Sequence, residues 1–178
     1  MGFLLPERAE ATSLRALAVA ELVRASDLVV EARAVEHRSE WANVGGRKRI
    51  VTLTRVLHDD AWVTRSSSIG ESLVVTWGGR VGDLAQKVHG EPELTDNSAC
   101  VLFLGAERDS RRRVVGMAQG HWLIRGTGDA RSLAPSPALP PLMKPSGAHR
   151  SALVEFEPLT LAGAKRLVQE RFAEEQER

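Results

Sequence analysis

Cysteine occurs once in the 178 residues, at Cys100, so no intrachain disulfide and no cysteine-based zinc site can form. That scarcity suits the cytosol, and equally an exported bacterial protein that folds without disulfides. A charge excess of one sign is lacking too: 24 basic residues face 23 acidic ones, leaving +1. Such a balance supplies no electrostatic argument for nucleic acid or an anionic membrane as the main partner. No apolar run reaches the length of about eighteen residues that a transmembrane helix needs, so none is expected. Local signatures of chemistry are also missing. The five histidines, His37, His58, His89, His121 and His149, form no H-x-x-x-H or H-E-x-x-H pair, and there is no G-x-S-x-G nucleophile elbow. His58-Asp59-Asp60 is the one local cluster of metal-ligating types, and adjacent ligands in a strand-end turn do not make a coordination shell. Cys100 opens the most apolar run, which reads as an inert buried thiol. The sequence therefore offers no catalytic residue, no metal site and no cofactor site.

The glycine-rich stretch Thr76–Gly90, TWGGRVGDLAQKVHG, tests that conclusion. A phosphate-binding loop of the form G-x-x-x-x-G-K-[ST] needs its lysine and hydroxyl at fixed places. Counting from Gly78 the sixth position is Asp83, and from Gly79 it is Leu84. The dinucleotide pattern G-x-G-x-x-G fails as well, and Asp83 would set a carboxylate where an anion should be welcome. The glycines are better read as bends. They would leave a long ordered connection with Val81, Leu84 and Val88 tucked against the body.

Periodicity supplies the elements. Residues 13–26 place Leu14, Leu17, Ala18, Leu22 and Ala25 on one helical stripe, with Ser13 as N-cap. From Asp27 the period changes to two, and DLVVEARAVEHR and RKRIVTLTRVLHDD read as two strands of a hairpin with a loop longer than two residues around NVGG. ESLVVTW is a third strand and SACVLFLGAE a fourth, apolar enough to be buried on both faces. RVVGMAQGHWLIRG reads as a fifth, broken at Gly116 or Gly120. Residues 126–150 hold five prolines, Pro135, Pro137, Pro140, Pro141 and Pro145, and read as an extended arm outside the sheet. A last helix starts after Thr160, with Leu161, Ala164, Leu167, Val168 and Phe172 near one face. The expected fold is mainly β with flanking N- and C-terminal helices, a five- to six-stranded antiparallel OB-like barrel. The expected organisation is an N-terminal segment at 1–12, a barrel at 13–125, the proline arm at 126–150 and a C-terminal appendage at 151–178.

Two basic triplets, Arg47-Lys48-Arg49 and Arg111-Arg112-Arg113, stand beside turns at strand starts. On a small barrel they could converge, with tryptophans as stacking faces. With Arg80 and Asp83 from the glycine-rich stretch they make the candidate recognition surface. Strand-edge arginines that guard against edge pairing are the plainer account.

Three stretches together, ELVRASDLVVEARAV, RIVTLTRVL and GGRVGDLAQKVHG…VLFLGAE…VVGMAQGHWLI, resemble an uncharacterised family of small exported bacterial β-barrel proteins. Members usually carry a signal peptide just before the early helix, and no activity is established for them. Ala9-Glu10-Ala11 has the A-x-A form of a cleavage site, but Phe3-Leu4-Leu5 is too short an apolar run for a working signal. The segment 1–12 is thus either a signal remnant or a chance match. The family's lysine-glycine pair after the second strand is replaced here by Asp59-Asp60-Ala61. The first hairpin is also similar to the opening strands of netrin-like OB barrels such as tissue inhibitors of metalloproteinases, whose mechanism needs an N-terminal cysteine and disulfides absent here. The resemblance implies a non-enzymatic periplasmic or extracellular module that binds a protein or another envelope component. A single-stranded nucleic-acid binder of OB type and a secreted protease inhibitor are the alternatives, with the cytoplasm left open as a location. Fold analogy alone does not license function.

Overall fold

The computed structural model describes residues 14–65, 70–143 and 150–177; the 1–12 segment and the Ser13 cap lie outside them. A short strand β1 (Leu14–Arg15) precedes helix α1 (Val19–Ala25). Next come two long strands, β2 (Leu28–Val44) and β3 (Arg47–Thr64), then β4 (Glu71–Val81) and β5 (Leu84–Lys87). After β6 (Ala99–Leu104) a 3-10 turn at Met117–Gly120 leads into β7 (His121–Arg125). The chain ends with β8 (Ser132–Pro135), β9 (Leu142–Met143), α2 (Ala152–Phe156) and α3 (Leu161–Gln176).

Seven strands form one antiparallel sheet in the order β5-β4-β3-β2-β6-β7-β8. The mainly β class holds. The expected closed barrel of five or six strands does not, because the ladder has seven strands and two edges. The sheet is strongly curled nonetheless. Register shifts in the β2–β3 pair at Val29/Val30, Glu31/Ala32 and Ala34/Glu36 are bulges, and each adds local twist. The curl brings β4 and β6 near enough for residues 112–115 to bridge them. Arg112 N–H donates to Leu73 O and Val75 N–H to Arg112 O, while Gly105 N–H donates to Arg113 O and Val115 N–H to Phe103 O. These are isolated bridges rather than a strand.

Strict alternation in β2 and β6 builds a core on each face. Leu28, Val30, Ala32, Cys100, Leu102 and Leu104 point to the concave side, where Val56, Val74 and Val114 meet them. Val29, Val101 and Phe103 point to the other side, under α1, α2 and α3, with Trp62, Trp122 and Phe156. Trp122 meets Phe156 edge-on with centroids 4.8 Å apart, a favoured aromatic geometry. The apolar run at β6 is therefore buried on both faces, as its composition predicts.

Four expectations need correction. The early helix begins at Val19, not near Ser13, because Leu14 and Arg15 pair in parallel with Leu142 and Met143. The β2–β3 loop is no longer than two residues: Gly45 and Gly46 have φ of 57° and 75°, the conformation that a tight hairpin turn demands. The proline segment is not all arm, since β8 pairs with β7 through Trp122↔Pro135 to Arg125↔Ser132. Proline is tolerated there because β8 is an edge strand and Pro135 need not donate outward. Finally, Thr76–Gly90 is no tucked connection but a hairpin, with Gly78↔Lys87 to Val81↔Leu84 paired, and Leu84 is 61% exposed. Its glycines are set by space. At Gly79 (φ +130°) a Cβ would collide with Ser39 Oγ and Thr52 Oγ1, and at Gly78 it would lie 2.5 Å from Gln86 O. The break before β7 falls at Gly116, φ 64°. α3 starts where expected, with Thr160 Oγ1 accepting from Gly163 N–H.

Two measurements test this packing. A Cβ at Gly120 would strike Val115 O and approach Val114 Cγ1 at 3.0 Å and Phe103 Cβ at 3.2 Å. Gly120→Ala should therefore lower unfolding free energy in urea by about 2 kcal/mol or more. His121 is buried against Ser136, Nδ1 to Oγ 3.0 Å, and burial pushes its pKa down from 6.5 to about 4. Below 6.5 the unfolded chain takes up a proton that the folded chain refuses, so stability falls as pH drops from 6.5 to about 4 and then levels. The loss should approach about 3 kcal/mol, and it should vanish from the pH profile of His121→Gln.

Candidate functional site

The basic triplet at the start of β3 stands at the tip of the β2–β3 hairpin. Arg47 and Lys48 are exposed and Arg49 is half-buried. Strand pairing sets Trp41 opposite Ile50, and Lys48 Nζ lies 5.2 Å from the centroid of its ring, a cation–π contact. Beside this tip runs a groove of about 470 Å³ lined by Val44, Gly45, Arg47, Arg49, Trp77, Val88 and Met117.

The second triplet alternates about the bridging segment, so its three members part. Arg112 goes inward, 1% exposed. Its Nη1 donates to Asp27 Oδ2 and Gly105 O, both at 2.9 Å, and its Nη2 lies 3.5 Å from Glu107 Oε2. It plugs one end of the curled sheet and cannot belong to a surface. Arg111 and Arg113 go outward. Arg111 pairs with Glu40 at 3.5 Å, while the Arg113 guanidinium lies 4.4 Å from the Trp77 ring centroid. The structure thus brings Arg47, Arg49 and Arg113 around one tryptophan. Arg80 and Asp83 are exposed on the neighbouring β4–β5 hairpin, where Arg80 N–H donates to Ser39 Oγ.

Glu91 anchors the arrangement. It is 6% exposed; its Oε1 accepts from Arg113 Nη2 at 2.7 Å and its Oε2 from Trp77 N–H at 3.2 Å. Burial raises its pKa above the ordinary carboxylate value, and the Trp77 amide and Arg113 oppose the rise. Trp77 and Val88 also border a second cleft, of about 280 Å³, whose lining includes His37, Thr52, Thr54, Thr76, Gln86 and Glu91. There His37 Nε2 lies 2.6 Å from Asp96 Oδ1 and its Nδ1 lies 3.0 Å from Thr54 Oγ1.

An acid–imidazole–hydroxyl row invites comparison with nucleophilic catalysis. Thr54, however, stands in mid-strand, paired with His37 on one side and Val74 on the other. Its own backbone is thus engaged in the ladder on both sides. The other titratable groups are occupied structurally. His58 Nδ1 accepts from Gly70 N–H, which leaves its Nε2–H to donate to Ser72 Oγ. Burial, and then Arg112, lower its pKa, with Glu71 opposing. Asp59 pairs with Arg33 and Asp60 with Lys165, so His58-Asp59-Asp60 is dispersed. Burial pushes the Cys100 thiol up to about 12. Among the described residues no group of three metal-ligating side chains occurs and no helix is long and apolar enough to cross a membrane.

Residue reading missed Glu91, the Trp77–Arg113 stack and the hydroxyl-lined cleft. One signal for the cleft was present, since Thr52 and Thr54 share the parity of the core residue Val56. It was masked because Val51 and Leu53 on the opposite parity are equally apolar. No family model matches the chain, and no curated protein similar to it is found.

Glu91→Ala should cost about 2–3 kcal/mol in chemical denaturation, because it strips acceptors from the Trp77 amide and from Arg113. Glu91→Gln keeps an acceptor and should cost less than half as much. Equal losses would mean that the negative charge opposite Arg113, and not the acceptor for the Trp77 amide, carries the role of Glu91.

Proposed function

We propose that the chain is a non-enzymatic binding module of the bacterial periplasm or extracellular space, built on an OB-like arrangement. Its partner, a protein or another envelope component, docks on the two hairpin tips. Four neighbouring cations carry this reading. Arg47, Lys48, Arg49 and Arg80 have no carboxylate partner among the described residues. Elsewhere cations are commonly paired, as in Arg33–Asp59, Arg55–Glu36 and Arg65–Glu175. Residues 38–49 and 77–88 hold six cations and two anions, whereas the whole chain is nearly balanced at 24 and 23. The charge imbalance is thus concentrated around a groove floored by Val44, Trp77, Val88 and Met117. Anionic groups beside an apolar side chain complement that surface. The periplasmic or extracellular location follows from the family resemblance, and the OB-like description from the curl and the bridging of β4 to β6.

A second reading, single-stranded nucleic-acid binding, has one observation in its favour: Trp41 is 40% exposed beside Lys48, a stacking surface with a cation at hand. One titration separates the two. Acidic peptides with an embedded leucine or phenylalanine should bind at low salt and quench tryptophan fluorescence. Arg47→Glu/Arg49→Glu should weaken that binding by about tenfold or more. If oligothymidylate binds instead, with affinity falling steeply in salt, the second reading replaces the first. If neither binds, the hairpin-tip reading fails.

A further inference from the structure

The concave face of the sheet changes character along its strands. Val56 and Val74 lie in the apolar cluster with Leu28, Val30 and Ala32. Two and four residues before Val56 the same face carries Thr54 and Thr52, and two residues after Val74 it carries Thr76. These three hydroxyls line the cleft of about 280 Å³. Two of them have assigned work. Thr54 meets His37, and Thr52 Oγ1 donates to Gly78 O at 2.8 Å while bonding Ser39 Oγ.

Thr76 is different. It is 7% exposed, and its hydroxyl makes no hydrogen bond among the described residues. The hydroxyl oxygen is not sealed from solvent; it opens into the cleft, where a valine would offer a ligand no hydrogen bond. Gln86 repeats the pattern: its Oε1 is fixed by Ile50 N–H at 3.0 Å, and its Nε2 donates to nothing among the described residues. A donor amide and a donor–acceptor hydroxyl are therefore held at one cleft without a protein group to meet them.

The charges of that cleft are matched. Glu91 is met by Arg113, Lys87 by Glu93 at 3.0 Å, and His37 by Asp96. A charged ligand would find no unmatched opposite charge here, whereas a neutral ligand rich in hydroxyls would. The volume stands near the lower end of the roughly 300–1,000 Å³ of ligand pockets, which suits a single ring.

We infer that the cleft between His37, Thr54, Thr76 and Gln86 binds a neutral polyhydroxylated ring, either a free monosaccharide or the terminal sugar of a glycan. This site is distinct from the hairpin-tip groove and does not depend on the anionic partner proposed for it.

The test is saturation-transfer NMR with calorimetry on the full chain. The probes are glucose, galactose, mannose, N-acetylglucosamine and inositol, with neutral oligosaccharides of the same sugars as a second arm and glucuronate as a charged comparison. At least one neutral probe should bind. Thr76→Val should weaken it by about tenfold while leaving the unfolding midpoint unchanged or raised, and Thr76→Ser should restore it. Binding confined to the oligosaccharide arm and lost in Thr76→Val supports the inference and assigns the terminal sugar of a glycan. Arg47→Glu/Arg49→Glu should leave sugar binding intact, which separates this result from the fate of the hairpin-tip reading. Failure of every neutral probe, equal affinity in Thr76→Val, or tighter binding of glucuronate than of glucose would each overturn it.

Discussion

A buried guanidinium holds the curled sheet in its shape. Arg112 lies between β4 and β6, its backbone paired to Leu73 and Val75 and its side chain seated on Asp27 and Gly105. A charge taken so far out of water is tolerated only with fixed partners, so the ends of β2, β4 and β6 are bound to one geometry. Strand alternation does the rest. With Arg112 turned in, Arg111 and Arg113 must turn out, and the latter lands on Trp77. The stacking of Arg113 on Trp77 is thus a consequence of one inward arginine.

This also explains where the residues could and could not be read. The alternation in Leu28–Ala34, the doubly apolar Cys100–Leu104 and the cap at Thr160 each carry their own local signal, and all appear in the structure. The start of the early helix and the short strand within the proline segment did not, because long-range pairing overrode local preference. Leu14-Arg15 has a helical pattern, yet its backbone is taken by Leu142-Met143. Pro135 argues against a strand, yet an edge position removes the objection. The glycine hairpin failed for a related reason: its bends are set by Gln86 on its own returning strand and by Ser39 and Thr52, which are far away in sequence.

The candidate surface divides in the same manner. That Arg47, Lys48 and Arg49 lie together at an exposed turn was legible from their spacing. That Arg111 and Arg113 flank a buried residue was not, since three consecutive arginines offer no contrast for alternation to act on. Glu91 was invisible because its role comes entirely from partners in β4 and in the bridging segment. The concave face passes from valine to threonine without any change in the period of the sequence. Only the curl of the sheet shows that the threonines look into a cleft rather than into solvent.

The end of α1 facing Glu155 has a consequence for how the chain is made. Val19 N–H donates to Glu155 Oε2, 136 residues away, and Leu17 O accepts from Ala152 N–H. A helix of seven residues has little stability alone, and it packs chiefly on α3 and its neighbours. During synthesis the sheet through β6 can therefore assemble while α1 waits uncapped, its apolar side uncovered until the C-terminal helices leave the ribosome. Contacts of such sequence separation form late and slow folding. The apolar side of α1 thus stays open to aggregation until residues 152–172 are made and packed, at the outer face rather than in the concave core.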